Sequence, residues 1–349
     1  MNELYQDKRN EVKSGEEREG MDLMGALVKG AGITAESLND AVDTDPEKAS
    51  RGSNKQLLTD DEILGNAFVF ILAGHETAAN TIHFSILYLA MHWSSQKRLQ
   101  EDLDTILGDK PISEWSYDED VPKLFGSMCG AVKNEELRLI PPVIGIPKST
   151  LKGRPQGLNL RGQHFTVPED TSINLMTAAV HRNPKYWPHT SEEDLLEFRP
   201  ERWLLDSSRS HSDVDEDSYA QEEGLDFDGP DKRPDTASTL YRPPKGAYIP
   251  FSEGYRSCLG RRFAQVEILA VLAVIFKTWS VELDVGAHMT DEELATASEG
   301  QKRDAWNKAD AYARDLLKNG MATIITIQMR KDKVPMRFVK RGRESFKFG

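Results

Sequence analysis

The ten residues from Phe251 to Gly260 constrain the fold and chemistry of this chain more than any other stretch. Their sequence is Phe-Ser-Glu-Gly-Tyr-Arg-Ser-Cys-Leu-Gly, so Cys258 lies two residues after Arg256 and two before Gly260. The apolar positions of the next run, residues 261–276, fit a buried helix. The pattern predicts a cysteine on a tight loop at a helix N-terminus, where exposed N–H groups and the helix dipole favour a thiolate.

Two glycines and one arginine flank this cysteine. Gly254 and Gly260 carry no side chain, so the backbone can approach a large flat ligand closely at both positions. Arg256 can pair with an anionic group on such a ligand, and a single thiolate in these surroundings suits a haem iron. On these residues alone, the alternative is a buried structural cysteine in a turn, which is the more common role of a lone cysteine.

Composition argues against several other classes of protein. The 349 residues carry a formal net charge of −13, which argues against a nucleic-acid-binding surface. Cys129 and Cys258 provide no disulfide framework, as is typical of a reducing compartment or a cytosolic face. No run reaches the ~18 apolar residues of a membrane-spanning helix, and the polar N-terminus does not resemble a signal peptide. We therefore expect a large globular core, soluble and cytoplasmic for the chain as given.

A long apolar helix is predicted upstream of the cysteine loop. Thr59 and Glu62 form a capping-box pattern, in which the hydroxyl and the carboxylate satisfy free N–H groups at a helix start. The helical pattern continues to about Met91 and is apolar nearly all round in its first part. A helix of this kind is buried in a protein core or a membrane, and its polar residues, Glu76 among them, argue against the membrane.

This helix contains the polar stretch Ala73-Gly74-His75-Glu76-Thr77. An acid and a hydroxyl inside an apolar helix need partners, since unpaired burial costs several kcal/mol. Gly74 leaves space for a ligand against the helix, and Thr77 can bond back to a carbonyl and bend the helix. Taken alone, the stretch is equally well explained as a satisfied polar pair in a long helix.

Together these two segments resemble the cytochrome P450 family. The loop matches every fixed position of the family's haem-ligand pattern, Phe-x-x-Gly-x-Arg-x-Cys-x-Gly, and residues 73–77 resemble its oxygen-binding groove, Ala/Gly-Gly-x-Asp/Glu-Thr. The resemblance implies a haem b cofactor whose iron is held by the Cys258 thiolate, with Glu76 and Thr77 relaying protons to dioxygen. The residues implied to contact the haem are Phe251, Gly254, Arg256, Gly260, Ala73 and Gly74.

A buried charge cluster follows from the same resemblance. Glu135 and Arg138 are three residues apart on one predicted helix, and a pair at this spacing is commonly a solvated surface ion pair. In the family this Glu-x-x-Arg pair is buried and joins an arginine from a later Pro-Glu-Arg segment, which Arg202 provides here. The implied role of the three residues is folding and haem retention rather than chemistry. Cys129 is expected to pack as a small apolar residue.

Shorter elements complete the prediction. Residues 143–148 are extended by their prolines, and the resemblance implies that Lys148 contacts a haem propionate, with a surface lysine as the alternative. Strands are predicted at residues 157–160, 164–167, 172–174 and 281–285. Residues 321–328 and 334–339 are expected to form a hairpin. In the family the turn before this hairpin reaches the substrate pocket, although core packing explains residues 321–325 equally well.

The predicted fold class is mainly α with small β-sheets (α+β), corresponding to the C-terminal part of the cytochrome P450 fold. Residues 1–56 are expected to be a remnant of the preceding helical region and loop, and residues 57–349 the haem-binding core. Residues 206–240 are rich in Ser, Asp, Glu and Gly and are predicted to be a disordered acidic insertion. Family members have a longer segment ahead of the buried helix, so we expect either an N-terminally truncated chain or a natural short form.

The resemblance implies a haem-thiolate monooxygenase that inserts one atom of dioxygen into a small apolar substrate. Electrons would come from an NADPH-cytochrome reductase, docked on the cysteine side where Arg261 and Arg262 are positively charged. The motifs resemble those of fungal microsomal members, which implies the cytosolic face of the endoplasmic reticulum membrane for a full-length form. The alternative is a catalytically inactive fragment that binds haem weakly or not at all. A zinc or redox-cysteine site is rejected because no second Cys or His lies at ligand spacing from Cys258.

Overall fold

The structure is a computed structural model that describes residues 1–15, 23–31, 58–205, 236–330 and 332–349. Most of the predicted acidic insertion, residues 206–235, lies outside the described residues, as does most of the loop predicted before Thr59. At the end of the predicted insertion, Leu240 is buried and pairs with Leu204. The chain divides into two compact units, Met1–His75 and Glu76–Gly349.

The described residues contain ten α-helices and eight β-strands. The helices are α1 (Asn2–Ser14), α2 (Leu23–Gly30), α3 (Asp60–Met91), α4 (Trp93–Leu107), α5 (Asp120–Phe125), α6 (Met128–Leu139), α7 (Thr177–Val180), α8 (Arg261–Thr278), α9 (Asp291–Thr296) and α10 (Glu299–Asn319). The strands are β1 (Gly145–Ser149), β2 (Gln156–Leu160), β3 (Gln163–Val167), β4 (Ser172–Met176), β5 (Trp279–Leu283), β6 (Met321–Thr323), β7 (Ile327–Met329) and β8 (Met336–Lys340). Within this described part of the chain, no helix combines the length and the apolar character needed to cross a bilayer.

The first unit is held together by contacts among α1, α2 and the start of α3. Tyr5, Val12, Val28 and Ile63 form a small buried apolar cluster. The Tyr5 hydroxyl also donates to Asp60 Oδ1 at 2.6 Å, which ties α1 to the first turn of α3. Because a short helix is marginal in isolation, this shared cluster is what stabilises α1 and α2.

The predicted capping box is present at the start of α3. The Thr59 N–H donates to Glu62 Oε2 at 2.8 Å, and the Glu62 N–H donates to Thr59 Oγ1 at 3.3 Å. The hydrogen bonds from Thr59 lower the pKa of the Glu62 carboxyl, since they stabilise its charged form. The helix therefore begins where the sequence predicts, at Asp60.

The burial of α3 differs from the sequence prediction. Phe68, Val69, Ile71 and Leu72 are 57%, 56%, 53% and 41% exposed, although burial was expected on all faces. Beyond Phe84 the helix is mostly buried, as predicted. The reason for the difference is that apolar sequence gives only a tendency toward burial, whereas burial itself requires packed neighbours. In the described part of the chain, the four exposed side chains lack that cover.

The core of the second unit lies between α4, α6 and α8. Leu99, Val132 and Leu269 are fully buried members of it, one from each helix. Cys129 is also buried, and its thiol donates to the Leu269 carbonyl at 3.8 Å. Burial raises the pKa of the Cys129 thiol to about 12, so it packs as an inert apolar residue, as expected. This packing fixes α8, the helix that directly follows the Cys258 loop.

The strands pair as two-stranded antiparallel sheets. Within the described residues these are β1 with β4, β2 with β3, β5 with β8 and β6 with β7. A mainly helical architecture with small antiparallel sheets confirms the predicted α+β fold class. Strands β2 and β3 contain the predicted residues 157–160 and 164–167 and begin one residue earlier.

One strand pairing was predicted wrongly. Residues 321–328 do not form a single strand, because the chain turns between β6 and β7, and these two short strands pair with each other. The turn is closed by the Ile324 N–H, which donates to the Thr326 carbonyl at 3.2 Å. Strand β8 pairs instead with β5. The β-branched run Thr-Ile-Ile-Thr hides this turn, since its residues all favour strands.

Candidate functional site

The loop that carries Cys258 is closed by its own backbone. Residues Gly254–Arg256 form a turn of 3-10 helix, and the Cys258 N–H donates to the Phe251 carbonyl at 2.8 Å. Gly260 then caps α8. Cys258 is exposed. The structure therefore places this cysteine on a tight loop directly before a helix N-terminus, where a thiolate is favoured.

Two residues of this loop have left-handed backbone conformations. Ser252 has a φ of +60° and Gly254 a φ of +82°, and only glycine adopts such angles at no steric cost. A Cβ atom at Gly254 or at Gly260 would meet no heavy atom within 4 Å, so the backbone borders open space on both sides of Cys258. An exposed sulfur between two such glycines fits a large flat ligand whose metal takes one thiolate.

Three other predicted haem contacts, Phe251, Arg256 and Lys148, belong to the second unit. Phe251 is half-buried and packs against the main hydrophobic core, which anchors the start of the loop. Arg256 is exposed at the end of the 3-10 turn. Lys148 is half-buried in β1, opposite Ile173 of β4. The roles of these three residues toward a haem stay predictions.

The chain that enters the loop is held by two hydrogen bonds that sequence reasoning missed. The Tyr248 hydroxyl donates to the Asn134 carbonyl of α6 at 3.3 Å. The Ile249 N–H donates to His181 Nε2 at 2.8 Å. His181 and Ile249 lie 68 residues apart in the sequence, and no local pattern reveals such a contact.

The ring of His181 is neutral in this arrangement. A protonated imidazole carries donors on both nitrogens, so it cannot accept the Ile249 hydrogen bond. Burial lowers the pKa of His181 to about 3, and the nearby positive charge of Arg138 adds to this effect. At neutral pH, His181 therefore serves as an acceptor that holds the chain two residues before Phe251.

Glu135, Arg138 and Arg202 meet in one buried cluster. Glu135 Oε1 accepts from Arg138 Nη2 at 2.9 Å, from Arg202 Nε at 2.8 Å and from the Arg199 N–H at 3.1 Å. Its Oε2 accepts from Arg138 Nε at 2.8 Å and from Trp203 Nε1 at 2.9 Å. The side chains of all three predicted members are 0% exposed. The solvated surface pair, which was the alternative interpretation, does not fit this burial.

The two arginines extend the cluster to backbone carbonyls. Arg138 Nη1 donates to the His181 carbonyl at 3.2 Å, and Arg202 Nη1 donates to the Pro188 carbonyl at 2.7 Å. Because the His181 ring in turn holds the Ile249 N–H, a continuous set of hydrogen bonds runs from the buried carboxylate to the cysteine loop. The cluster therefore fixes the frame around the loop, while its role in haem retention stays a prediction.

Two adjacent glutamates of α6 have opposite protonation preferences. Burial tends to raise the pKa of Glu135, but the charges and hydrogen bonds of Arg138 and Arg202 outweigh it and lower this pKa. Glu136 is also fully buried, and burial raises its pKa well above the usual range because Thr81 offsets only part of the effect. Glu135 is thus ionised, whereas Glu136 favours its neutral form. Sequence reasoning assigned nothing to Glu136.

The predicted groove residues of α3 differ in exposure. Ala73 and Gly74 are exposed, whereas Glu76 and Thr77 are half-buried. Glu76 Oε2 accepts a hydrogen bond from Thr326 Oγ1 at 3.3 Å. The acid therefore has a partner within the protein. Thr326 was missed, because it lies within the run that was predicted to be a continuous strand.

Comparisons with known proteins decide the family. The family model described as cytochrome P450 matches residues 1–302. The chain belongs to the cytochrome P450 family. Membership implies a haem cofactor, in agreement with the exposed Cys258 on its glycine-bordered loop.

Two relatives support the family assignment and show how much of a P450 sequence this chain spans. A cytochrome P450 monooxygenase of Arthrobotrys oligospora is 30% identical over 284 residues, which are 81% of this chain and 44% of the relative. Cytochrome P450 monooxygenase 124 of Postia placenta is 31% identical over 240 residues, or 68% of this chain and 37% of the relative. The chain therefore spans less than half the length of these P450 relatives.

A solved structure supports the fold. The crystal structure of a cytochrome P450 (CYP102L1) aligns with a TM-score of 0.55 and 16% sequence identity, covering 97% of this chain and 56% of that one. At this identity the likeness shows the P450 fold alone. It agrees with the mainly helical architecture and the small antiparallel sheets.

The Glu135 cluster yields a graded prediction. Arg138→Met leaves a fully buried carboxylate with one guanidinium fewer, and we expect a loss of about 3–5 kcal/mol in the free energy of unfolding. Trp203→Phe removes one neutral donor and keeps most of the ring packing, with an expected loss of about 1–2 kcal/mol. Urea unfolding of the two variants measures both effects. Equal losses in the two variants would contradict the prediction, because Arg138 would then stabilise the Glu135 carboxylate no more than the neutral Trp203 donor does.

The pKa of His181 predicts a loss of stability in acid. The unfolded imidazole titrates near pH ~6.5, whereas the folded pKa is about 3. The stabilising contribution is complete above about pH 6.5 and is lost as the pH falls toward about 3, because the unfolded state then binds more protons. Urea midpoints between about pH 8 and about pH 5 should fall for the wild type and less for His181→Gln. The exposed His189→Gln is the control and should keep the wild-type slope. A wild-type slope in His181→Gln would contradict the assignment.

Proposed function

We propose that this protein is a haem-thiolate monooxygenase, which inserts one atom of dioxygen into a small apolar substrate. The observation that carries the proposal is the exposed Cys258, held on a closed loop at the N-terminus of α8 with open space beside Gly254 and Gly260. Both fungal relatives are named as cytochrome P450 monooxygenases, which supports the same reaction class.

The residues of this chain divide into those that hold the haem b and those that handle protons. Cys258 would hold the iron, the exposed Arg256 and the half-buried Lys148 would pair with the propionates, and Ala73 and Gly74 would contact the ring, as the resemblance implies. When bound, the haem supplies the activation of dioxygen, which the thiolate promotes by donating electron density.

Glu76 and Thr77 are proposed to move protons. Both are half-buried on α3, and a positioned carboxyl or hydroxyl can transfer protons to a reacting group. Glu76 already accepts a hydrogen bond at Oε2, so its carboxyl is held in one orientation. A held carboxyl is better suited to deliver a proton to one position than a freely rotating one.

Electron delivery is proposed to come from an NADPH-cytochrome reductase at the cytosolic face of the endoplasmic reticulum. Two observations on the cysteine loop and the start of α8 are compatible with docking at this surface. Arg262 lies over the Phe125 ring at 4.2 Å, which fixes a positive charge near the cysteine loop. Leu259 of the cysteine loop and Phe263 of α8 are 57% and 74% exposed.

A second candidate function is a catalytically inactive fragment that binds haem weakly or not at all. The exposure of the first part of α3 favours it, because Phe68 and Leu72 present uncovered apolar surface close to Ala73 and Gly74. Dioxygen chemistry depends on excluding water. The two candidates differ in whether the haem-loaded protein forms a stable thiolate complex.

The carbon-monoxide complex of the reduced, haem-loaded protein tests the proposal. We expect the strongly red-shifted Soret band of a thiolate-ligated haem, because Cys258 is exposed at the loop. Cys258→Ala should abolish this band. Cys129→Ala, which changes the buried cysteine, should keep it. A red-shifted band in Cys258→Ala would refute the ligand assignment, and its absence from the wild type would favour the inactive fragment.

A further inference from the structure

Thr326 is a buried residue of the turn between β6 and β7 that contacts α3 twice. It is 2% exposed. Its Oγ1 accepts from Asn80 Nδ2 at 3.0 Å and donates to Glu76 Oε2 at 3.3 Å. Glu76 and Asn80 are four residues apart on α3, so they lie on the same helix face and a single hydroxyl can reach both.

The direction of these hydrogen bonds is fixed by chemistry. The Asn80 amide nitrogen is a donor only, so the Thr326 oxygen accepts from it. A threonine hydroxyl has one proton, which is then available for Glu76. Glu76 Oε2 is thus the terminal acceptor of a chain from Asn80 through Thr326. This arrangement selects one orientation of the carboxyl and leaves its other oxygen for a further partner.

The turn that carries Thr326 is itself held in place. The Ile327 N–H donates to the Pro142 carbonyl at 3.0 Å, which ties the turn to the chain just after α6. Directly before Thr326, Ile324 and Ile325 are 73% and 60% exposed. The turn therefore combines a buried hydroxyl directed at an acid with two exposed apolar side chains.

We propose that Thr326 is a positioning residue that holds the Glu76 carboxyl for proton delivery and links it to the β6–β7 turn. This inference rests on the proposed function, since it assumes that Glu76 moves protons. An apolar substrate that packs on Ile324 or Ile325 presses on the same turn that orients the acid. Substrate contact and proton delivery are thereby connected through one hydroxyl.

The test compares Thr326→Val, which removes the hydroxyl at nearly constant volume, with Thr326→Ser, which keeps it. The haem-loaded protein is assayed for product formed per NADPH consumed, using an apolar substrate that gives turnover in the wild type. We expect Thr326→Val to lower this coupling about two- to tenfold, the range of one lost hydrogen bond. Thr326→Ser should restore it. Thr323→Val, at the exposed position of β6 in the same hairpin, is the matched control and should equal the wild type.

A second readout is independent of turnover. A double-mutant cycle of Glu76→Gln and Thr326→Val, followed by urea unfolding, measures whether the two side chains interact. We expect the double variant to lose less free energy of unfolding than the sum of the losses in the two single variants. Additive effects, or a Thr326→Val variant with wild-type coupling, would overturn the inference, as would a Thr326→Ser variant as impaired as Thr326→Val.

The Soret band of the carbon-monoxide complex distinguishes failure of the positioning role of Thr326 from failure of the proposed function. If the wild type shows the thiolate band and turns over, while Thr326→Val behaves like the wild type, then only the positioning role is wrong. If the wild type lacks the thiolate band, the proposed function fails and the inference fails with it. A normal band in Thr326→Val, together with reduced coupling, supports the inference.

Discussion

The buried carboxylate of Glu135 is the interaction on which the rest of the second unit depends. A charge with no exposed surface is tolerated only when it is paired and fully hydrogen-bonded, and Glu135 accepts five hydrogen bonds from four residues. Those donors come from α6 and from the segment around Arg202. Because the Glu135 carboxylate needs all of these hydrogen bonds, it fixes how the irregular segment around Arg202 folds against α6.

The hydrogen-bonded cluster around Glu135 is connected to the cysteine loop through His181. Its carbonyl accepts from Arg138, and its ring accepts from the Ile249 N–H, two residues before Phe251. The thiol is thus presented by a loop whose entrance is held by the cluster and whose exit is the first turn of α8. Glu136 shows the converse case, since a buried carboxyl without such donors favours the neutral state.

The features that sequence could predict are those whose partners are close along the chain. Three such features are the Thr59 capping box, the Glu135–Arg138 pair and the loop around Cys258. Each spans at most ten residues of sequence, so the spacing alone indicates its geometry. Arg202 was found only through resemblance to the family. The contacts of His181 with Ile249 and of Thr326 with Glu76 span 68 and 250 residues, and depend on packing that no local pattern encodes. The exposure of Phe68 was missed for the same reason, because whether a side chain is covered depends on residues that are distant in the sequence.

The central claim is that the Glu135 charge holds the chain that leads into Cys258. Amide hydrogen exchange at Ile249 tests it most directly, with Glu135→Gln compared with Glu136→Gln, an equally small change at the next residue. The account predicts that Glu135→Gln speeds exchange at Ile249 by about tenfold or more, because local opening becomes easier, while Glu136→Gln leaves it near the wild-type rate. Unchanged exchange at Ile249 in Glu135→Gln, with faster exchange confined to residues near Arg202, would contradict it.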